Sequence, residues 1–290
     1  MTMGNAAPPM LRRLAAGWRA VIDSNMIQAP ALGTFLTSDP RNRVIVPVEI
    51  WFELYKQRSI DALQRGLAIL GRHSDQVLVL RSTGEIMRFA PPFPDMAGRM
   101  ILPGGGEAVR KMVEELSSEA RIEPAFAKRI SAGWRAAAEQ NLGMLEGAVD
   151  VVAALPMMQE DMFSAHEIRV IRKKERFTHS MFGTIFGAAE QINDGLSELM
   201  ELPVHADHRI RAHSLQLRMA LGIVIHHLWW VRNGSQSKKK LEATRNDIID
   251  LLLAAQATFF DDFVTQDEKA DWVYQNLKGA LGLYVQSEFV

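Results

Sequence analysis

The sequence predicts an α/β fold: a parallel sheet flanked by helices and interrupted by a mostly helical insertion. Two observations carry that prediction. Short β-branched runs alternate with helical patterns over the first ninety residues and return near the carboxyl end, whereas the long middle stretch keeps helical periodicity. The composition is that of a globular chain: 48% of the 290 residues are hydrophobic and 23% charged, which excludes disordered, collagen-like and coiled-coil classes. With 33 basic against 34 acidic side chains the formal net charge is -1, so a polyanion has to be met by a local basic patch. Cysteine is absent, which excludes disulfide frameworks, thiolate metal sites and cysteine nucleophiles and fits a reducing cytosol. The amino terminus lacks the apolar core of a signal peptide, and no apolar run approaches the ~20 residues that cross a bilayer. The expected location is therefore cytoplasmic, with no membrane partner.

Taken in order, AVI at 20–22 ends in Asp23, RVIVPVEI at 43–50 leads into the helical pattern WFELYK, and QVLVL at 76–80 follows the amphipathic stretch SIDALQRGLAILGRH. Runs this short, separated by helices, read as buried parallel strands. The proline- and glycine-rich passage PPFPDMAGRMILPGGG at 91–106 marks a boundary. It divides a first core part at 1–90 from a helical insertion at 91–240. Pro124 is placed to open a helix, because a missing N–H costs least in the first turn, and Pro156 to end it. Helical patterns follow at about 161–201 and 205–232, where Asn233-Gly234 reads as a carboxyl-terminal cap. Residues 241–290 form the second core part. Here KKKLEATRNDIIDLLLAAQATF and DEKADWVYQNLKGAL read as helices, DFVTQD as a short strand and turn, and LYVQ as a final strand. An echo between RLAAGWRA at 13–20 and RISAGWRA at 129–136 is too short to define a repeat.

Acidic residues recur where such a sheet places its sites. Asp23 ends the first run, at the carboxyl edge where open α/β sheets bind ligands. Glu53 follows the second run on the first turns of the next helix. Asp247 and Asp250 lie three residues apart on one helical face, and Asp267 follows DFVT. Clustered carboxylates raise one another's pKa and need a neutralising charge, which a divalent cation supplies. Magnesium takes oxygen ligands and few carboxylates, so neither histidine nor cysteine is required. The chemistry implied is metal-assisted cleavage of a phosphodiester.

In their order and setting these residues resemble the PIN-domain ribonucleases. VIDSNMI at 21–27 is similar to the family's strand-end Asp with Asn two residues on, and VIVPVEIWFEL at 44–54 to its strand, proline and helical Glu. In NDIIDLLLAAQATFFDDFVTQD at 246–267, Asp250 stands before a small-residue helix and Thr265-Gln266-Asp267 resembles the strand-end Thr-x-Asp. The resemblance covers about 1–90 and 241–290. It implies a PIN-like sheet and a metal-dependent endoribonuclease in which Asp23, Glu53, Asp250 and Asp267 hold Mg2+ or Mn2+. Asp247 is an alternative or additional ligand, and Asn25 and Thr265 support the ligands through side-chain hydrogen bonds. The likeness extends to toxin ribonucleases of toxin–antitoxin pairs. The partners expected are RNA, an antitoxin or other regulatory protein, and a second copy of the chain.

The remaining signals are weaker. Lys238, Lys239 and Lys240 with Arg245 could contact a phosphate backbone, as could Arg169, Arg172, Lys173, Lys174 and Arg176, although charge runs are commonly solvated faces. His205, His208, His213, His226 and His227 match no HExxH spacing and are expected to pack or lie at the surface. PGGGEAVRK at 103–111 lacks the Gly-Lys-Ser/Thr ending of a phosphate loop and reads as a flexible hinge into a helix. Two other functions remain open on the sequence: a DNA-directed nuclease using the same ions, and a catalytically idle binding or scaffold protein that works through its helical block.

Overall fold

The computed structural model describes residues 17–89, 95–118, 123–234 and 241–286. In chain order the elements are β1 (Arg19–Ile22), α1 (Pro30–Ser38), β2 (Arg43–Val46), α2 (Val48–Lys56), α3 (Ile60–Arg72), β3 (Val77–Val79), α4 (Thr83–Met87), α5 (Met96–Met100) and α6 (Gly105–Ser117). They continue with α7 (Pro124–Met162), α8 (Ala165–Arg172), α9 (His179–Leu199), α10 (His208–Arg211), α11 (Leu215–Arg232), α12 (Leu241–Ala257), β4 (Asp262–Val264) and α13 (Glu268–Gln286). The protein is α/β and mostly helical. Its strands form one all-parallel sheet ordered β3-β2-β1-β4. Among the described residues no helix is long and apolar enough to cross a membrane.

Two compact units can be distinguished. The first comprises Met1–Ser82, Ala97–Asn141 and Phe260–Gln266 and holds the sheet. Ala20, Val21, Ile22, Val44, Ile45 and Val46 have no exposed surface, as befits parallel strands covered on both faces. β2 stops before Pro47, which has no N–H for the ladder and takes the N-cap position of α2. The expected run at 43–50 is thus four residues of strand followed by the start of a helix. Ser59 caps α3 by accepting the Ala62 N–H at 3.2 Å, and α3 packs its buried stripe, including Leu63, Leu67 and Leu70, against α6. The PGGG stretch is not a hinge. Gly104 has φ +75, and a Cβ on Gly106 would stand 2.6 Å from the Ser74 carbonyl oxygen and 2.7 Å from that of Val77. Glycine here lets the first turn of α6 lie directly on the backbone entering β3.

The second unit, Thr83–Met96, Leu142–Phe259 and Asp267–Val290, is helical. α11 runs through its core and packs against α8, α9, α12 and α13. Asn233 is the C-cap of α11 and Gly234 follows at φ +88, as the dipeptide predicts. Two expectations fail. The helix opened by Pro124 continues through Pro156 to Met162. LYVQ is the last turn of α13 instead of a strand: Leu281 and Tyr284 are buried three residues apart, while Leu283 and Val285 are exposed. The stretch 161–201 is interrupted after Arg172, where Lys174 adopts φ +60, and helix resumes at His179.

Candidate functional site

In the first unit, parallel register sets Ile22 beside Val264, so Asp23 and Thr265 leave adjoining strand ends although 242 residues separate them. The Asp23 N–H donates to the Val264 carbonyl at 3.0 Å, extending the ladder by one bond. Asp23 is only 4% exposed. Its Oδ1 accepts from the Ser24 N–H at 2.5 Å and the Ser24 hydroxyl at 3.3 Å. Its Oδ2 accepts from the Thr265 hydroxyl at 2.7 Å and from Asn25 Nδ2 at 2.6 Å. Asn25 Nδ2 also reaches Thr265 Oγ1 at 3.3 Å, and Asn25 Oδ1 accepts the Gln266 N–H at 3.2 Å. Asn25 therefore ties together the two strand ends through both of its amide atoms.

Glu53 lies on the second turn of α2 and pairs with Lys56, whose Nζ is 3.0 Å from Oε2. One turn earlier stands Glu49, which the sequence reading passed over as part of an apolar run. It is buried, at 4% exposure, in the first turn of α2. Pro47 was the overlooked signal, because a proline at a helix start makes the next residues first-turn positions, where acids are favoured. α2 packs against the short 3₁₀ turn Ser24–Met26 that follows Asp23.

The other acids belong to the second unit. Asp247 is 5% exposed, with Oδ2 3.2 Å from His226 Nε2 and Oδ1 in an ion pair with Lys269 Nζ. The same ammonium lies 3.7 Å from Asp250 Oδ2. Lys269, which the sequence reading did not single out, thus places a positive charge beside both acids. Nothing in its spacing, 19 residues beyond Asp250 on a different helix, announces this. Asp267 is the N-cap of α13, accepting the Ala270 N–H at 2.9 Å through Oδ1. Within each unit, among the described residues, no three His, Asp or Glu side chains form a metal-ligand group.

Lys238, Lys239 and Lys240 lie outside the described residues. Arg245 is buried, its guanidinium bonded to Asn246 Oδ1 at 2.5 and 3.2 Å. Arg169, Arg172, Lys173, Lys174 and Arg176 are all exposed, on the last turn of α8 and the turn beyond it. His227 is fully buried, with neither ring nitrogen hydrogen-bonded among the described residues, and its ring lies 5.5 Å from that of Trp230. Burial first, and neighbouring His226 second, push its pKa down to about 4, so it is neutral.

Comparison with known protein families, curated proteins and solved structures found no match. The chemistry of the site has to be argued from its own residues. A buried aspartate at the carboxyl edge of a parallel sheet, oriented by a hydroxyl and an amide, presents hard oxygen donors of the kind that hold Mg2+ or Mn2+.

Proposed function

We propose that this chain is a metal-dependent nuclease with a PIN-like sheet that hydrolyses RNA, and that Asp23 lies at the centre of its site. One observation carries the reading: the Asp23–Asn25–Thr265 cluster at the joined ends of β1 and β4. Among the described residues every hydrogen-bond donor to Asp23 is neutral, so a buried carboxylate is oriented without being charge-compensated. A divalent cation supplies the missing charge, and the donor set suits it, since hard cations select oxygen over nitrogen or sulfur. Asp23 would hold it. Glu49 and Glu53, on the helix packed against the Asp23 turn, are the further acids of this unit to be tested.

Held by Asp23, a divalent ion would supply an activated water and would stabilise charge on a phosphodiester. The chain's own contribution is positional. Thr265 and Asn25 fix the carboxylate plane, and the Ser24 N–H and hydroxyl hold its second oxygen. RNA as substrate, a toxin-type role, and an antitoxin, a regulatory protein or a second copy as partner rest on the likeness of VIDSNMI and TQD to PIN ribonucleases. The test is cleavage of labelled RNA and DNA in one reaction with Mg2+ or Mn2+, using the whole chain and its Asp23→Asn, Glu49→Gln and Glu53→Gln variants. Metal-dependent RNA cleavage lost in Asp23→Asn supports the reading, preferential DNA cleavage changes the substrate, and metal-independent cleavage refutes it.

Lys269 favours a second reading. An internal ammonium pairs with Asp247 and stands beside Asp250, offsetting part of the charge of two acids that the resemblance gives to metal, as expected of a catalytically idle binding or scaffold protein. A folded chain that binds neither Mn2+ nor Mg2+ by calorimetry would favour it.

A further inference from the structure

A cavity of about 410 Å3 lies inside the second unit, walled by α7, α9, α11 and α12. Met144, Met158, Met219, Ile192, Ile223 and Leu252 supply much of its apolar lining, and its polar wall residues are Thr244, His226 and Asp247. Small-molecule pockets occupy roughly 300–1,000 Å3, so the volume suits a ligand of modest size. Protein interiors are normally filled to crystal density, and an apolar void of this size forfeits dispersion contacts that an apolar occupant restores. Three methionines give the wall soft, adaptable side chains.

The polar residues decide the charge of the occupant. Both oxygens of Asp247 are already engaged, one by His226 and one by Lys269. An anionic head group would enter apolar surroundings beside this carboxylate and beside a cation already bonded to it. Thr244 is 1% exposed, and its hydroxyl has almost no surface of its own in the cavity, so the wall offers an occupant little but apolar contact. We propose that the cavity is a binding site for a neutral, mainly alkyl molecule.

The probe is dodecanol, titrated into the whole chain by calorimetry alongside dodecanoate. Dodecanol is expected to saturate a single site and to bind roughly tenfold or more tightly than dodecanoate, because the carboxylate would have to shed its hydration. One variant places the ligand. In Gly147→Leu the new side chain grows from a wall position where a Cβ meets nothing within 4 Å, and leucine is favoured over glycine within a helix. Its dodecanol affinity should drop about tenfold, as when a pocket is narrowed by more than a methylene, with the thermal midpoint unchanged or raised. Absence of dodecanol binding, equal binding of dodecanoate, or full affinity in Gly147→Leu would overturn the proposal. None of these readouts involves RNA or metal, so they stand apart from the nuclease reading.

Discussion

Two of the buried carboxylates, Asp23 and Asp247, are held in different ways. Asp23 is oriented by a hydroxyl, an amide and a backbone N–H, whereas Asp247 is held by a lysine and a histidine. The first arrangement leaves its charge open to a ligand; the second closes it. Lys269→Gln is accordingly expected to destabilise the chain by about 1.5–3 kcal/mol, the range for hydrogen bonds to charged groups. Millimolar Mn2+ should raise the urea midpoint of the variant by more than that of the parent, because a cation then replaces the ammonium between Asp247 and Asp250 in addition to any ion bound elsewhere. Urea midpoints with and without Mn2+ measure both effects, and a variant that responds no more than the parent would show that Lys269 serves structure alone. Asp23 was legible because its place depends on local sequence: a β-branched run ends there, and a parallel strand end is a recurrent site. Glu49 was not, since Val-Glu-Ile continues an apolar run in sequence while Pro47 has already turned the backbone into α2. Lys269 could not be read at all, because its partners are set by how α12 meets α13.

At the level of elements, the strands were recoverable because each is a short, mostly buried apolar run rich in valine, isoleucine or phenylalanine, which suits the interior of a parallel sheet. The carboxyl-terminal LYVQ has the same composition but lies on a helix, where Tyr284 extends the buried face begun by Tyr274, Leu277 and Leu281. Four residues of β-type composition cannot outweigh an apolar stripe already three turns long. Pro156 misled in a similar way, as α7 continues past it. The close seating of α6 gives an expected outcome at this scale. Gly106→Ala forces a methyl within 2.7 Å of two carbonyl oxygens, and backbone there cannot move aside as a side chain would. The cost should be about 1–3 kcal/mol. Gly143→Ala in α7, where a Cβ meets nothing within 4 Å, should instead stabilise the chain, by roughly 0.5–1 kcal/mol from helix propensity. Urea denaturation of the two variants side by side checks the sign of each.

Over the whole molecule, a near-neutral chain has little charge repulsion to drive acid unfolding at mild pH. His227 supplies a specific source of acid sensitivity instead. Its folded pKa of about 4 lies below the ordinary value of 6.5, so between these values the unfolded chain binds the proton and the folded chain does not. Its contribution to stability is complete above about pH 6.5 and is lost as pH falls through about 4, a total of about 3 kcal/mol. In His227→Phe the unfolding free energy should fall less between about pH 7 and pH 4 than in the parent; equal slopes would mean that His227 is protonated without penalty. The central claim, that Asp23 at the joined ends of β1 and β4 holds a catalytic cation, is tested most directly by Mn2+-dependent cleavage of labelled RNA by the parent chain and by Asp23→Asn. The account predicts cleavage that requires the ion and vanishes in a variant whose unfolding midpoint is little changed. Undiminished Mn2+-dependent cleavage by folded Asp23→Asn would contradict it.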